Sequence, residues 1–355
     1  MLINQALHII ARSKLRRLAT LTLAAASTSS ADPATQTAKK SPAAQNIDNP
    51  IVLQRADPWI HKIGETGCYY FTGTVTNFDK IILRHACRLN DLKLAEETVI
   101  WRKHDTGPMS ANIWAPELHR FNDQWVIYFA AGDVDNPFSI RMYALTNKND
   151  NPLQGTWDES GKITTPIDSF ALDATRFMHN DQDYLIWAQM DADQSYNSAL
   201  WIAKLKTPTT ITGPVTLLSK PDLAWEQQGY KVNEGAAVII RHNKVIVTYS
   251  ASATDHRYAM GLLWADINSD LLNPNSWHKS QEPIFQTAPD LNRFGPGHNS
   301  FTIAEDGKTD LLLYHARDYL NLRGNPLTDP NRHARARAIT VDESGTPNLN
   351  TQLAD

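Results

Sequence analysis

Two cysteines in 355 residues, Cys68 and Cys87, cannot make a disulfide framework. Each lies in a strand-like run, so neighbouring strands would either join them or keep two buried thiols, and their spacing builds no zinc site. Charge of one sign is also missing. The chain carries 34 basic and 38 acidic residues, so no overall field recruits nucleic acid or an anionic membrane. No helical period holds over any length. Aromatic residues, in contrast, are plentiful: ten Trp, eleven Tyr and ten Phe. They suit sandwich, barrel or propeller cores, and they suit stacking against a sugar ring equally well.

The first stretch reads as export machinery. Lys14, Arg16 and Arg17 precede the apolar Leu18–Ala26, and small residues end at Ala31, the pattern of a signal peptide over 1–31. A disordered extension is the other reading; the apolar run is too short to span a bilayer. Residues 32–48, rich in Ala, Ser, Thr, Pro and Lys, read as a flexible linker. The folded domain is expected over 49–355, in a secreted or periplasmic protein with no membrane span once the leader is removed.

Within that domain one plan recurs five times: a polar residue, a short apolar strand, a turn, and a second, very apolar strand. The turns are Gly64–Gly67, Asn122-Asp123, His179-Asn180-Asp181, His242-Asn243 and Glu305-Asp306-Gly307, all residues that accept hairpin geometry. A third strand follows each, at Ile81–Ala86, Ser139–Ala144, Ala199–Lys204, Met260–Ala265 and Ala334–Thr340. The anchors Asp57, Glu117, Asp173, Glu234 and His298 step by 60, 56, 61 and 64 residues. Radial repetition of small antiparallel sheets predicts an all-β, five-bladed β-propeller. A solenoid would leave the anchors in a row, whereas a propeller gathers them at its axis.

Carboxylates gathered at an axis raise one another's pKa. Glycoside hydrolysis uses that arrangement, with one carboxyl held protonated and another ionised. For any single one of these residues, a turn or strand-start carboxylate bonded to backbone amides is the more ordinary role, and the case rests on several occupying the same repeat position.

Ala56-Asp57-Pro58-Trp59, Trp114-Ala115-Pro116-Glu117, Leu172-Asp173-Ala174, Asn233-Glu234-Gly235-Ala236 and Gly295-Pro296-Gly297-His298-Asn299-Ser300 together resemble glycoside hydrolase family 43, from about Asn49 to the end. The resemblance implies a five-bladed propeller working with inversion. It assigns Asp57 as general base, Glu234 as general acid and Asp173 as the carboxylate that orients Glu234 and raises its pKa. An inverting pair stands about 6.5–9.5 Å apart to admit a water. His298 resembles the family's axial histidine, which in some members helps bind a central cation. Calcium or another cation there stays open, beside a plain hydrogen-bonded core role, and no cofactor is required. Arg317 resembles an arginine that contacts sugar hydroxyls, with a surface ion pair as the alternative. Trp114, and with it Phe78, would wall the terminal sugar or pack the blades, while Glu117 reads as structural.

The family holds α-L-arabinofuranosidases, β-xylosidases and endo-arabinanases. The wording of the Trp114 and Gly295 motifs resembles its arabinofuranosidase and arabinanase side. The expected activity is therefore an exo-acting, inverting α-L-arabinofuranosidase that takes terminal residues from plant arabinan or arabinoxylan. β-Xylosidase, endo-arabinanase and a non-catalytic carbohydrate-binding propeller are the alternatives. Loops 103–112, 190–197 and 250–257 would decide whether the groove is blocked.

Overall fold

The computed structural model describes residues 47–64, 67–193, 195–344, 346–349 and 355. The leader over 1–31 lies outside the described residues, as does the linker over 32–48 apart from its last two positions. Among the described residues nineteen strands form five separate antiparallel sheets. The first holds β1 (Ala56–Lys62), β2 (Tyr69–Thr74), β3 (Lys80–Ala86) and β4 (Thr98–Arg102). The second holds β5 (Pro108–Phe121), β6 (Gln124–Asp133), β7 (Asn136–Asn147) and β8 (Asp158–Lys162). In the third are β9 (Ala171–His179), β10 (Gln182–Gln189), β11 (Ala199–Thr207) and β12 (Thr210–Ser219). The fourth runs β13 (Asn233–Arg241), β14 (Lys244–Ala251), β15 (Ala259–Asp266) and β16 (His278–Lys279), and the fifth β17 (Phe294–Ile303), β18 (Asp310–Arg317) and β19 (His333–Ile339). Strand order follows chain order in every sheet.

The five first strands meet in a ring. β1 packs on β5 and β17, β9 on β5 and β13, and β13 on β17. This is the five-bladed propeller. Second strands such as β2 and β14 are buried almost end to end between neighbouring blades. That is why they read as unbroken apolar runs rather than alternating ones. Two of the predicted turns, Asn180-Asp181 and His242-Asn243, sit at positive φ and join β9 to β10 and β13 to β14 as two-residue hairpins, while the predicted turn over Gly64–Gly67 lies partly outside the described residues.

Ring closure joins the start of the described domain to its last strand. β19 completes the fifth sheet's three strands, and residues 49–52 lie along it, joined by an isolated bridge between Val52 and Ala334. Ile51 N–H donates to the Ala334 carbonyl at 2.9 Å, and Ala334 N–H donates to the Val52 carbonyl at 2.9 Å. The Asn49 side chain grips Ala336 from both sides, donating to its carbonyl at 2.6 Å and accepting its N–H at 2.8 Å. The two cysteines, on the outgoing ends of the β2–β3 pair, form a Cys68–Cys87 disulfide.

β5 breaks register three times and β17 twice, and all five innermost strands share one matching set of breaks. The shared breaks fall between Ala56 and Trp59, Trp114 and Glu117, Leu172 and Thr175, Glu234 and Ala237, and Gly297 and Ser300. At each break one residue adopts positive φ: Asp57 (52°), Ala115 (45°), Asp173 (57°), Gly235 (57°) and His298 (46°). These bulges are the true repeat. Glu117 therefore lies two residues beyond its blade's bulge, and Glu234 one residue before, so neither is equivalent to Asp57.

Candidate active site

At a β-bulge the backbone N–H leaves the ladder and needs another acceptor. At three of the five bulges one side-chain position of the preceding blade supplies it. Asp57 N–H donates to His315 Nδ1 at 3.1 Å, Ala115 N–H to Thr74 Oγ1 at 2.7 Å, and His298 N–H to Ser250 Oγ at 2.7 Å. Thr74, Ser250 and His315 hold one register position, paired with Ala56, Glu234 and Gly297. At the same position in β10 stands Ala188, which has no side-chain acceptor. Gly235 N–H is instead taken by Asp173 Oδ2 at 3.0 Å. The carboxylate that the repeat puts in blade three is thereby tied to the strand that carries Glu234.

Asp57, Asp173 and Glu234 line one cavity of about 570 Å³, together with His298, Trp114 and Arg332. Burial works to raise the Asp57 pKa. His298, Arg332 and His315 nearby, with the Thr74 hydroxyl donating to Oδ2 at 2.5 Å, outweigh it and lower the pKa to about 2. Arg332 Nη1, at 3.6 Å from Asp57 Oδ1, is the permanent charge of that group. Both histidines are pushed down, first by burial, and stay neutral near pH 7.

The other two carboxyls move the opposite way. Burial raises Glu234 to about 7, with Asp57 adding to the rise and the Tyr258 hydroxyl bond and Arg332 opposing it. Asp173 is raised well above its ordinary value by burial, then by Glu234 and Asp57. Near neutral pH Asp57 is thus firmly ionised, while Glu234 sits near its midpoint with the raised Asp173 beside it. A cavity with that division can protonate one oxygen while deprotonating another.

Several sequence-predicted residues stand elsewhere. Arg317 is buried outside the cavity lining, and its donors go to Asp329 Oδ1 (3.3 Å), the Thr254 carbonyl (2.8 Å) and the Pro326 carbonyl (2.8 Å). It braces the rim that Thr254 and Pro326 form, and the guanidinium facing the cavity is Arg332 instead. Phe78 backs Trp114 edge-on at 5.8 Å and does not line the cavity. Glu117 is buried against His119 Nε2 at 2.9 Å, as a structural residue would be. Of the loops, 190–197 and 250–257 contribute Met190, Asn197 and Ser252–Thr254 to the wall. Loop 103–112 contributes nothing, and Asn325–Leu327, which was not anticipated, does.

A cation at the axis finds a poor donor set. Among the described residues, three His, Cys, Asp or Glu ligand atoms come within reach of one centre only at Cys68, His85 and Cys87, where both sulfurs are in the disulfide. His298 Nδ1 lies 3.3 Å from Asp57 and 3.9 Å from Asp173, with the Arg332 guanidinium beside them opposing a second positive centre. Protein atoms alone therefore offer a cation few ligands there.

The model described as Glycosyl hydrolases family 43 matches residues 47–347. A Streptomyces avermitilis protein named an extracellular exo-alpha-(1->5)-L-arabinofuranosidase is 49% identical over 323 residues, 91% of this chain and 67% of its own length. A Humicola insolens protein named alpha-L-arabinofuranosidase 43 is 49% identical over 313 residues, 88% of this chain and 65% of its own. The chain thus spans about two thirds of both relatives. The crystal structure of an alpha-L-arabinofuranosidase from Lactobacillus brevis is similar at TM-score 0.84 and 45% identity, covering 88% of this chain and 98% of that one.

Proposed function

The chain belongs to glycosyl hydrolases family 43, and we propose that it is an exo-acting α-L-arabinofuranosidase that cleaves terminal arabinofuranosyl residues from arabinan with inversion. One observation carries the reading: three buried carboxyls in a single sugar-sized cavity, one lowered to about 2 and one raised to about 7. The identities of 45–49% to proteins named arabinofuranosidases support the sugar. Two of those relatives are named extracellular, which supports action outside the cell on plant wall polysaccharide.

The terminal arabinose enters with Trp114 as an apolar wall, and Arg332 offers its fork of donors to the sugar hydroxyls. Asp57, ionised, takes a proton from a water held beneath the anomeric carbon. As that water's oxygen bonds to the carbon, the glycosidic bond breaks on the opposite face. The proton of Glu234 goes to the leaving oxygen. Asp173, bonded to Gly235 N–H, fixes the strand that presents Glu234. Between turnovers the proton on Asp57 is released to solvent and Glu234 takes one up.

The test is hydrolysis of p-nitrophenyl α-L-arabinofuranoside and of linear arabinan, with the product's anomeric configuration followed by NMR. Release of single arabinose units in the inverted form is expected, and Asp57→Asn should lower turnover on both substrates by about 10²–10⁴-fold with the fold intact. Preference for a β-xyloside or release of oligomers would transfer the protein to another activity of the family. Binding of arabinan without turnover would make it a sugar-binding propeller.

A further inference from the structure

The motif Gly295-Pro296-Gly297-His298 opens the fifth blade, and both of its glycines are vacated for one neighbour. A Cβ on Gly295 would lie 2.1 Å from the Asp255 carbonyl oxygen, and one on Gly297 would lie 2.4 Å from the Tyr258 ring. The segment from Asp255 to Tyr258, between β14 and β15, fills that space. It is locked internally, with Tyr258 N–H donating to the Asp255 carbonyl at 3.1 Å. The Tyr258 ring is 1% exposed and lies parallel to His315, 5.7 Å between centroids with 3° between planes. Two blades are thus shaped to hold a single phenol. Its hydroxyl donates to Glu234 Oε1 at 2.8 Å.

A carboxyl oxygen that accepts a hydrogen bond from a neutral phenol is the carbonyl-type oxygen of the protonated acid. The phenol keeps its proton, since burial, ahead of the charges of Glu234, Asp173 and Asp57, holds it well above the ordinary tyrosine range. Oε2 has no hydrogen-bond partner among the described residues, and Glu234 lines the cavity. We propose that Tyr258 is a positioning residue for Glu234: its hydroxyl occupies Oε1 and so directs the acid's proton to Oε2, the oxygen left free for the glycosidic bond. This rests on Glu234 being the general acid.

Proton transfer gives the bond a second role. Once Oε2 has delivered its proton, Oε1 belongs to a carboxylate, and the tyrosine bond becomes charge-assisted and shorter. The interaction strengthens along the reaction coordinate, which is the condition for lowering the barrier rather than only binding substrate. Its removal weakens Glu234 as an acid and frees the carboxyl to rotate. Leaving groups that need full protonation suffer most.

The experiment is the pH profile of kcat/KM on arabinan and on p-nitrophenyl α-L-arabinofuranoside for Tyr258→Phe, with melting temperatures measured alongside. Phenylalanine keeps the ring against His315 and Gly297 and loses only the donor. The alkaline limb should move up by roughly one pH unit, and kcat should fall about tenfold on arabinan and less on the aryl glycoside. Replacing Tyr258 by 3,5-difluorotyrosine, its melting temperature checked in the same way, makes the hydroxyl a stronger donor and should move the limb down. A limb that stays in place in the difluorotyrosine protein, or in a folded Tyr258→Phe protein, overturns the proposal. Glu234→Gln is run in parallel. If it retains arabinan turnover, the acid assignment itself fails; if it is inactive while the tyrosine variants leave the limb unmoved, only the role of Tyr258 fails.

Discussion

Replacing Glu234 by Gln should make the protein more stable at alkaline pH while removing its activity. Burial and the neighbouring Asp57 charge lift the Glu234 pKa from 4.5 to about 7, against the pull of Tyr258 and Arg332. The folded chain therefore holds this proton more tightly than the unfolded chain. A raised group of this kind adds its stability in full below the unfolded value near 4.5, and loses it as pH climbs through 7. At roughly 1.36 kcal/mol per pH unit, that loss is about 3 kcal/mol across the window. Glutamine fits the same space and does not titrate, so Glu234→Gln lacks the loss. Asp173 acts in the same sense, because part of its own rise comes from Glu234. The stability difference between variant and wild type should thus move by about 3 kcal/mol in the variant's favour between pH 4.5 and 8. For a domain of this size that is about 5 °C in melting temperature. Thermal melts at several pH values and constant salt read it directly, and arabinan hydrolysis on the same samples should be down by about 10²–10⁴-fold. Melting curves that run parallel from pH 4.5 to 8 would refute the reasoning, because Glu234 would then not be titrating in that range.

Two further outcomes follow from other parts of the site and the ring. Arg332→Met removes the permanent charge that, with the histidines, holds Asp57 near 2; the acid limb of kcat/KM should move up by roughly one pH unit and KM should rise, and unchanged values of both would exclude Arg332 from the sugar pocket. Cys87→Ser opens a disulfide that spans 19 positions. Loop entropy sets its loss at about 3 kcal/mol, read as a lower melting temperature with unchanged turnover at 25 °C, since neither cysteine lines the cavity.

The parts of the fold that could be read from the residues are those where burial or turn chemistry leaves one option. The second strands, covered on both sides, show as solid apolar runs such as Trp125–Phe129 and Val245–Tyr249. The hairpins show because Asn180-Asp181 and His242-Asn243 accept positive φ. The fourth strands do not show: β4 and β8 are short, solvent-facing edges with little buried side chain to mark them. Closure by residues 49–52 was not legible either, because a pair of backbone bonds to Ala334 and one asparagine leave no pattern in the chain. Arg332 was missed for a related reason. It belongs to no strand, and nothing in its spacing separates it from Arg317, whose donors face inward to the rim carbonyls.

The clearest difference between pattern and structure lies at the axis itself. Aligning polar residues sets Glu117 and Glu234 level with Asp57 and Asp173, yet the bulges fall on Ala115 and Gly235. What repeats is a backbone event, and side-chain identity at the bulge is free to vary: Asp, Ala, Asp, Gly, His. Non-glycine residues at positive φ cost on the order of 1 kcal/mol each, and four of the five blades accept that cost. The gain is geometric. The freed N–H groups of Asp57, Ala115, Gly235 and His298 are taken by side chains of the preceding blade, which ties those blades together. In the third interval, where Ala188 offers no acceptor, Asp173 fills the place and binds Gly235 N–H. Glu234 stands one residue away on the same strand. The coupling between these two carboxyls therefore follows from the way the propeller satisfies its own backbone.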